Sequence, residues 1–221
     1  MFLAKTPVVP VAPVALAVLA AAVLAVGCSR TPGPGLARGT QIYDTCVPCH
    51  GPRGLGNPTI GAPEIAGLPK WYLVAQLGKF KGGLRGTHPD DAEGARMRPM
   101  ARSLYRPGDL ESVAQYVETL RPARPAASLA GGNVAAGQAR FNAVCIACHG
   151  AAAAGNQALG APPLNRQADW YMFSQLSKFR SGLRGAHPQD ATGMQMAAMA
   201  KSLPDTTAMK DVIAYIRTLQ P

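Results

Sequence analysis

Cys46-Val47-Pro48-Cys49-His50 and Cys145-Ile146-Ala147-Cys148-His149 are two copies of one pattern, C-x-x-C-H. The spacing carries its chemistry. Two thiols three positions apart reach the two vinyl groups on one edge of a haem, and the next residue presents an imidazole to the iron. Cys46, Cys49, Cys145 and Cys148 are therefore candidates for covalent attachment of two c-type haems, with His50 and His149 as proximal iron ligands. A C-x-x-C pair also serves zinc and dithiol redox sites. A structural zinc site needs four ligands close together, and here the pairs stand 99 residues apart. A thioredoxin-like site belongs in a βαβ unit, and no strand-like run flanks either motif.

Both motifs lie inside a long internal repeat. The same offset of 99 aligns Trp71-Tyr72 with Trp170-Tyr171, Gln76-Leu77 with Gln175-Leu176 and Lys79-Phe80 with Lys178-Phe179. It continues through Leu84-Arg85 and Leu183-Arg184, His88-Pro89 and His187-Pro188, Met97 and Met196, Met100 and Met199, to Thr119-Leu120 and Thr218-Leu219. A period of this length marks a duplicated small domain rather than a solenoid. The expected architecture is all-α, with one domain over residues 38–121, a Pro/Gly-containing linker over 122–135 and a second domain over 136–221. At about 90 residues each domain is marginal for a core of side chains alone, and a buried haem adds apolar surface to fold around.

Each repeat reads as helix, loop, helix, loop, helix. A first helix is expected over 39–45 and 137–144, with Ile42 and Phe141 on its apolar side. Residues 51–61 and 150–160, rich in Gly, Pro, Asn and Ala, form a loop suited to wrapping one haem edge. The central helix is the clearest: Leu73, Leu77 and Phe80 fall at i, i+4 and i+7, and Met172, Leu176 and Phe179 repeat the stripe. The last helix spans about 109–120 and 206–219, with Val113, Tyr116, Val117 and Leu120 on one face and Val212, Tyr215, Ile216 and Leu219 on its counterpart. Pro63 and Pro162 each stand thirteen residues after the motif histidine, where a carbonyl can accept from the second imidazole nitrogen and orient the ring. Trp71 and Trp170 are candidate indole donors to a haem propionate, with plain packing as the other reading. Lys79, Lys81, Arg85, Lys178, Arg180 and Arg184 gather at the end of the central helix. They read either as a solvated face favouring the helix C-terminus or as propionate and partner contacts.

The position opposite the histidine on each iron has several candidates. Met97 and Met196 both follow their histidines by 47 residues and are expected on a flexible loop that crosses the haem, the preferred assignment. Met100 and Met199, in an Ala-rich helical segment, are the alternative distal ligands. His88 and His187 precede proline in an H-P-x-D stretch that reads as a turn. Thioether ligation favours ferrous iron and raises the reduction potential.

The fifth cysteine stands apart. No charged residue lies between Lys5 and Arg30, and residues 14–26 are a run of Ala, Val and Leu, short for a membrane span but suited to the core of an export signal. Cys28 follows Ala25-Val26-Gly27, similar to the lipobox of bacterial lipoproteins. Residues 1–28 are thus expected to be a signal ending at a lipid-modified Cys28, and 29–37 a tether. The expected location is periplasmic or otherwise outside the cytoplasm, on a membrane.

The formal charge of +10 favours acidic docking surfaces and fast encounter with them. Nucleic acid is excluded as a partner, because no basic run is interleaved with base-stacking aromatics.

The paired C-x-x-C-H, the W-Y-x-x-x-Q-L-x-K-F helix, the M-x-x-M-A-x-S-L segment and the terminal helix together resemble the di-haem cytochromes of the cytochrome c4 type. They also resemble the di-haem cytochrome c tails of some cytochrome c oxidase subunits II, which share the R-G-x-H-P-x-D loop. The resemblance implies two tandem cytochrome c-type domains with His/Met-ligated haems. It places the ligating methionine seven residues before the leucine that precedes the last helix, as Met97 stands before Leu104 and Met196 before Leu203. It implies single-electron transfer between respiratory redox partners, from an upstream quinol-oxidising complex toward a terminal oxidase or reductase, by a carrier and not an enzyme. A haem-bearing subunit of an oxidoreductase complex, or a di-haem enzyme such as a peroxidase or sulfur-compound dehydrogenase, is the alternative.

Overall fold

A glycine decides how each domain closes. The computed structural model describes Met1 and residues 31–221; the apolar run, Cys28 and the first residues of the tether lie outside the described residues. In the first domain, helix α1 (Leu36–Tyr43) crosses the last helix, α5 (Asp109–Thr119). A Cβ on Gly39 would sit 2.0 Å from the Ser112 carbonyl oxygen, so only glycine permits this approach. The second domain repeats the crossing, with α6 (Val134–Arg140) against α10 (Thr206–Thr218) and Gly137 over the Asp211 carbonyl at 1.9 Å. The same two positions on the last helices also tie down the chain entering the first ones. Ser112 Oγ accepts from Gly35 N–H at 2.9 Å, and Asp211 Oδ1 accepts from Asn133 N–H at 2.7 Å. Aromatic pairs, Tyr43 with Tyr116 at 5.1 Å and Phe141 with Tyr215 at 5.4 Å between centroids, fill the crossings.

Between the crossing helices each domain places a short turn of helix carrying the motif (α2, Val47–His50; α7, Ile146–His149), then a loop with a 3-10 turn (Pro58–Ile60; Gln157–Leu159). In the second domain a π-helical turn, Phe141–Cys145, joins α6 to the motif and buries Phe141 completely. Next comes the central helix (α3, Lys70–Lys81; α8, Asp169–Ser181). Asn57 and Asn156 cap the 3-10 turns, accepting from Thr59 N–H and Ala158 N–H at 3.1 and 3.0 Å. Two isolated bridges, Asn57 to Ala62 and Asn156 to Ala161, are the only extended pairing among the described residues. The architecture is all-α, as the sequence implies.

A fourth full-length helix in each domain departs from the sequence reading. The segment expected as a flexible methionine loop is an 11-residue helix: α4, Ala92–Arg102, and α9, Ala191–Lys201. Asp91 and Asp190 start these helices by accepting from Gly94 N–H at 3.1 Å and Gly193 N–H at 2.9 Å. The aspartate ending each H-P-x-D turn was the available signal. Pro99 and the scattered Gly and Met residues masked it, since their periodicity is weak.

Residues Gly33–Pro221 form one unit. The first core gathers Ile42, Tyr43, Leu68, Leu73, Val113 and Val117, and the second Phe141, Met172, Met209, Val212, Ile213 and Ile216. The segment 121–133 has no regular structure, yet it is strapped to both halves. Ala123 N–H donates to Glu64 Oε1 at 2.8 Å, while Ser128 and Leu129 donate to the buried Asp169 carboxylate at 2.6 to 3.0 Å.

Candidate functional site

The two motif histidines are held identically. His50 Nδ1 lies 2.9 Å from the Pro63 carbonyl oxygen and His149 Nδ1 lies 2.9 Å from that of Pro162. A carbonyl only accepts, so Nδ1 carries the proton and the Nε2 lone pair is free for a metal. Each histidine is 6% exposed. Burial pushes both below the ordinary histidine value and so favours the neutral rings, while the carbonyl acts in the opposite direction. Gly51 and Gly150 follow at φ of 75°, turning the chain sharply away from the ring.

None of the four motif cysteines is paired in a disulfide; Cys46 and Cys145 are partly buried and Cys49 and Cys148 exposed. Burial pushes the Cys46 thiol up and the Cys145 thiol up to about 11. No group of three His, Cys, Asp or Glu side chains among the described residues is arranged to hold a metal ion on its own. The thiol pairs therefore do not form a zinc site with neighbouring side chains.

All of these groups open onto one continuous cleft that runs through both domains. Its walls are mostly apolar: Leu73, Leu77 and Phe80 from α3, and Met172, Leu176 and Phe179 from α8, together with the Val113 and Val212 faces of the last helices. Met97 and Met196 line the cleft and are partly buried, and Met196 packs with Phe179, Ala197 and Ala200. Met100 and Met199 line it too, one helical turn further on, at 39% and 42% exposure. His88 and His187 do not line it; each Nδ1 accepts a backbone N–H two residues on at 3.2 Å, closing the H-P-x-D turn. The tryptophans are not among the lining residues either. Trp71 and Trp170 stand edge-on to Tyr72 and Tyr171 at 5.8 and 5.7 Å, and it is the tyrosines that face the cleft.

The residues present fit two haems. In each half an apolar wall meets a pair of cysteine thiols, a neutral imidazole with Nε2 unengaged, and a thioether on a separate helix.

The basic cluster at the ends of the central helices is not a solvated face. Lys79 Nζ pairs with Asp190 at 2.6 Å, and Lys178 Nζ pairs with Asp91 at 2.5 Å and Glu93 at 2.7 Å, so each domain's lysine grips the other domain's helix cap. Lys81 Nζ donates to the Leu104 carbonyl at 2.6 Å, and Arg180 donates to the Leu203 and Pro204 carbonyls, clamping the ends of the methionine helices. Arg85 and Arg184 are buried between the domains with Gln76 and Gln175. Sequence reasoning missed this interface. The available signal was a polar Gln at matching registers beside the apolar stripe of both central helices.

Comparison with known proteins agrees with this geometry. The cytochrome c family model matches twice, over residues 36–121 and 134–220. The thiosulfate dehydrogenase electron acceptor of Thiomonas intermedia (strain K12) is 33% identical over 153 residues, covering 65% of this chain and 66% of that protein. The cbb3-type cytochrome c oxidase subunit FixP of Bradyrhizobium sp. (strain ORS 278) is 31% identical over 195 residues, covering 83% of this chain and 60% of that one. The crystal structure of reduced recombinant cytochrome c4 from Pseudomonas stutzeri superposes with a TM-score of 0.66 at 26% identity, covering 84% of this chain and 98% of that chain. With two such domains in tandem, each bearing a C-x-x-C-H motif for one covalent haem c, the chain belongs to the cytochrome c family.

Proposed function

We propose that the protein is a two-haem electron carrier that passes single electrons between respiratory redox partners outside the cytoplasm and is not itself an enzyme. The observation that supports this most is the equivalence of the two halves. Each presents a neutral histidine on one side of the cleft and a partly buried methionine thioether on a separate helix. In this reading His50 with Met97 would hold one haem iron and His149 with Met196 the other, and Cys46, Cys49, Cys145 and Cys148 would form the thioether links. When bound, the haems supply a one-electron ferric/ferrous couple. The chain's part is to hold both axial positions filled, to keep the rings neutral and oriented, and to wall off water with Leu73, Phe80, Met172 and Phe179. A filled distal position leaves no seat for a substrate, which disfavours peroxidase or dehydrogenase chemistry.

Two donors or acceptors are supported by named relatives. Likeness to a cbb3-type oxidase subunit supports delivery toward a terminal oxidase, and likeness to a thiosulfate dehydrogenase electron acceptor supports loading by a sulfur-compound dehydrogenase. A net positive charge suits acidic docking surfaces on either. The apolar run before Cys28 supports export and lipid attachment, which would keep the carrier beside membrane partners. Among the described residues no helix is long and apolar enough to cross a membrane.

The ferric spectrum tests the ligand set. Both haems should be low-spin, with the far-red methionine-to-iron charge-transfer band. Met97→Ala and Met196→Ala should each abolish about half of that band and lower one midpoint potential. High-spin iron in the wild-type protein, or loss of the band only on substitution of Met100 or Met199, would overturn the assignment.

A further inference from the structure

The two domains break their repeat along the methionine helices. At the offset of 99, Arg96, Arg98 and Arg106 stand where the second domain has Gln195, Ala197 and Asp205, while Arg102 matches Lys201. Residues 96–106 thus carry four arginines and no acid, and residues 195–205 one lysine and one aspartate. Arg96, Arg102 and Arg106 are exposed, and Arg98 is half-buried with its Nε unpartnered among the described residues. None of the four lies within ion-pair distance of a carboxylate among those residues. Glu93 and Asp109, whose carboxylates feel Arg96 and Arg106, are held by Lys178 and Arg38. A basic residue ending a helix is ordinary and accounts for Arg102 and Lys201 alike. Arg96 and Arg98 stand in the middle of α4 and gain nothing from that effect, and Arg98 and Arg102, one turn apart, repel.

This charge sits where the cleft of the first domain opens to solvent. Ile60 and Met100 line the cleft yet are 38% and 39% exposed. Arg96 lines it beside them, its guanidinium donating to the Ile60 carbonyl at 2.6 Å. Tyr105 follows on the same segment at 73% exposure, with the Arg106 guanidinium 5.9 Å from its ring centroid. Exposed Met and Tyr side chains among arginines have the composition of a protein-docking surface. In the second domain Leu159 and Met199 form a similar apolar mouth, but the residue matching Arg96 there is the uncharged Gln195. An anionic membrane would also attract arginines, but lipid seated on Ile60 and Met100 would close the mouth to every redox partner.

We propose that the arginine face over residues 96–106 is the docking surface for an acidic redox protein, and that the second domain has no equivalent. Exchange with such a partner then runs through the first domain alone, although both domains are built to the same plan. This rests on the reading of the chain as a two-haem electron carrier, and it assigns the net positive charge to one place on the molecule.

The test compares Arg102→Glu with Lys201→Glu in the two-haem protein, since the two exposed positions match and each change reverses one charge. Stopped-flow mixing with reduced flavodoxin, a small acidic flavoprotein, moves one electron from the flavin hydroquinone, which becomes the semiquinone, to one ferric haem. At low salt Arg102→Glu should slow this second-order step about fivefold and Lys201→Glu by less than about twofold, and the difference should vanish at high salt. Arg106→Gln, beyond the end of α4, should slow it about twofold. Hydrogen exchange with oxidised flavodoxin present should show protection over residues 92–106 and none over 191–205. Equal slowing by the two Glu variants, or protection over 191–205 instead, would overturn the proposal. If Arg102→Glu leaves the rate unchanged and weakens binding to phosphatidylglycerol vesicles, the face belongs to a membrane and the proposal fails. Photogenerated neutral lumiflavin semiquinone tests the carrier reading by itself. Uptake of fewer than two electrons by the wild-type protein removes that reading, whereas full uptake with unaltered flavodoxin kinetics in Arg102→Glu refutes the docking face alone.

Discussion

Adding one methyl group at the helix crossing should separate the two roles that glycine plays in this chain. In Gly39→Ala the new Cβ would stand 2.0 Å from the Ser112 carbonyl oxygen, 2.7 Å from its carbon and 2.9 Å from Tyr116 Cβ. Ordinary contact begins at 3.4 Å, so α1 and α5 must part by about 1.4 Å along that line. Two of the three clashing atoms are backbone in a helix, and no rotamer change relieves them. Overpacking of this kind costs about 1–3 kcal/mol, and its upper end applies here. Replacing a helical glycine returns about 1 kcal/mol. The net expectation is destabilisation by about 2 kcal/mol, with Gly137→Ala alike because its Cβ would meet Asp211 at 1.9 Å. Gly78, within α3, is the internal control: nothing lies within 4 Å of its added Cβ, so Gly78→Ala should stabilise by about 0.5–1 kcal/mol. Urea unfolding followed by far-ultraviolet circular dichroism reads all three. A Gly39→Ala protein as stable as wild type, or a shift of the same sign as that of Gly78→Ala, would refute the argument from the crossing.

Three further outcomes follow from the electrostatics. Glu64 is 5% exposed, and burial pushes its carboxyl up despite the bond from Ala123 N–H. The folded state therefore holds that proton more tightly, and this contribution is present below the unfolded glutamate value and lost as pH rises through the folded one. Glu64→Gln should flatten urea stability as pH rises above the unfolded glutamate value of about 4.3 and be the more stable form at neutral pH; an unchanged pH profile would count against it. Asp109 has the opposite sign. The Arg38 guanidinium, at 2.8 and 3.2 Å, holds its carboxyl below the ordinary value against the effect of burial, so the stabilisation is present above the unfolded value of about 3.9 and lost as pH falls through the folded one. Asp109→Asn should be less stable than wild type at neutral pH, with the difference closing in acid. Finally, second-order electron transfer with an acidic partner should slow steeply as salt rises, because exposed charges are screened over about 10 Å at 0.1 M; a flat dependence in stopped-flow would remove charge from the docking argument.

Much of the local structure was legible along the chain. The stripe Leu73, Leu77, Phe80 and its copy Met172, Leu176, Phe179 marked helices that run over Lys70–Lys81 and Asp169–Ser181. The Met97 and Met196 segments did not read as helices, since α4 contains Pro99 and both lack an apolar period; their aspartate caps and the clamps from Lys81 and Arg180 hold them instead. The basic residues ending the central helices looked like ordinary C-terminal charge, because the acids that pair with Lys79 and Lys178 stand 111 and 87 positions away.

By itself, then, the sequence determined the chemistry and the count. C-x-x-C-H is a contiguous pattern whose spacing must match one cofactor edge, and a period of 99 states that the unit occurs twice. Only the tertiary structure decided how the two units face each other. It set Arg85 against Arg184 across Gln76 and Gln175, and exchanged Lys79 and Lys178 between domains. Such contacts join residues 85 to 111 positions apart through the burial of two similar surfaces, and no local pattern records which of two similar copies a side chain will touch.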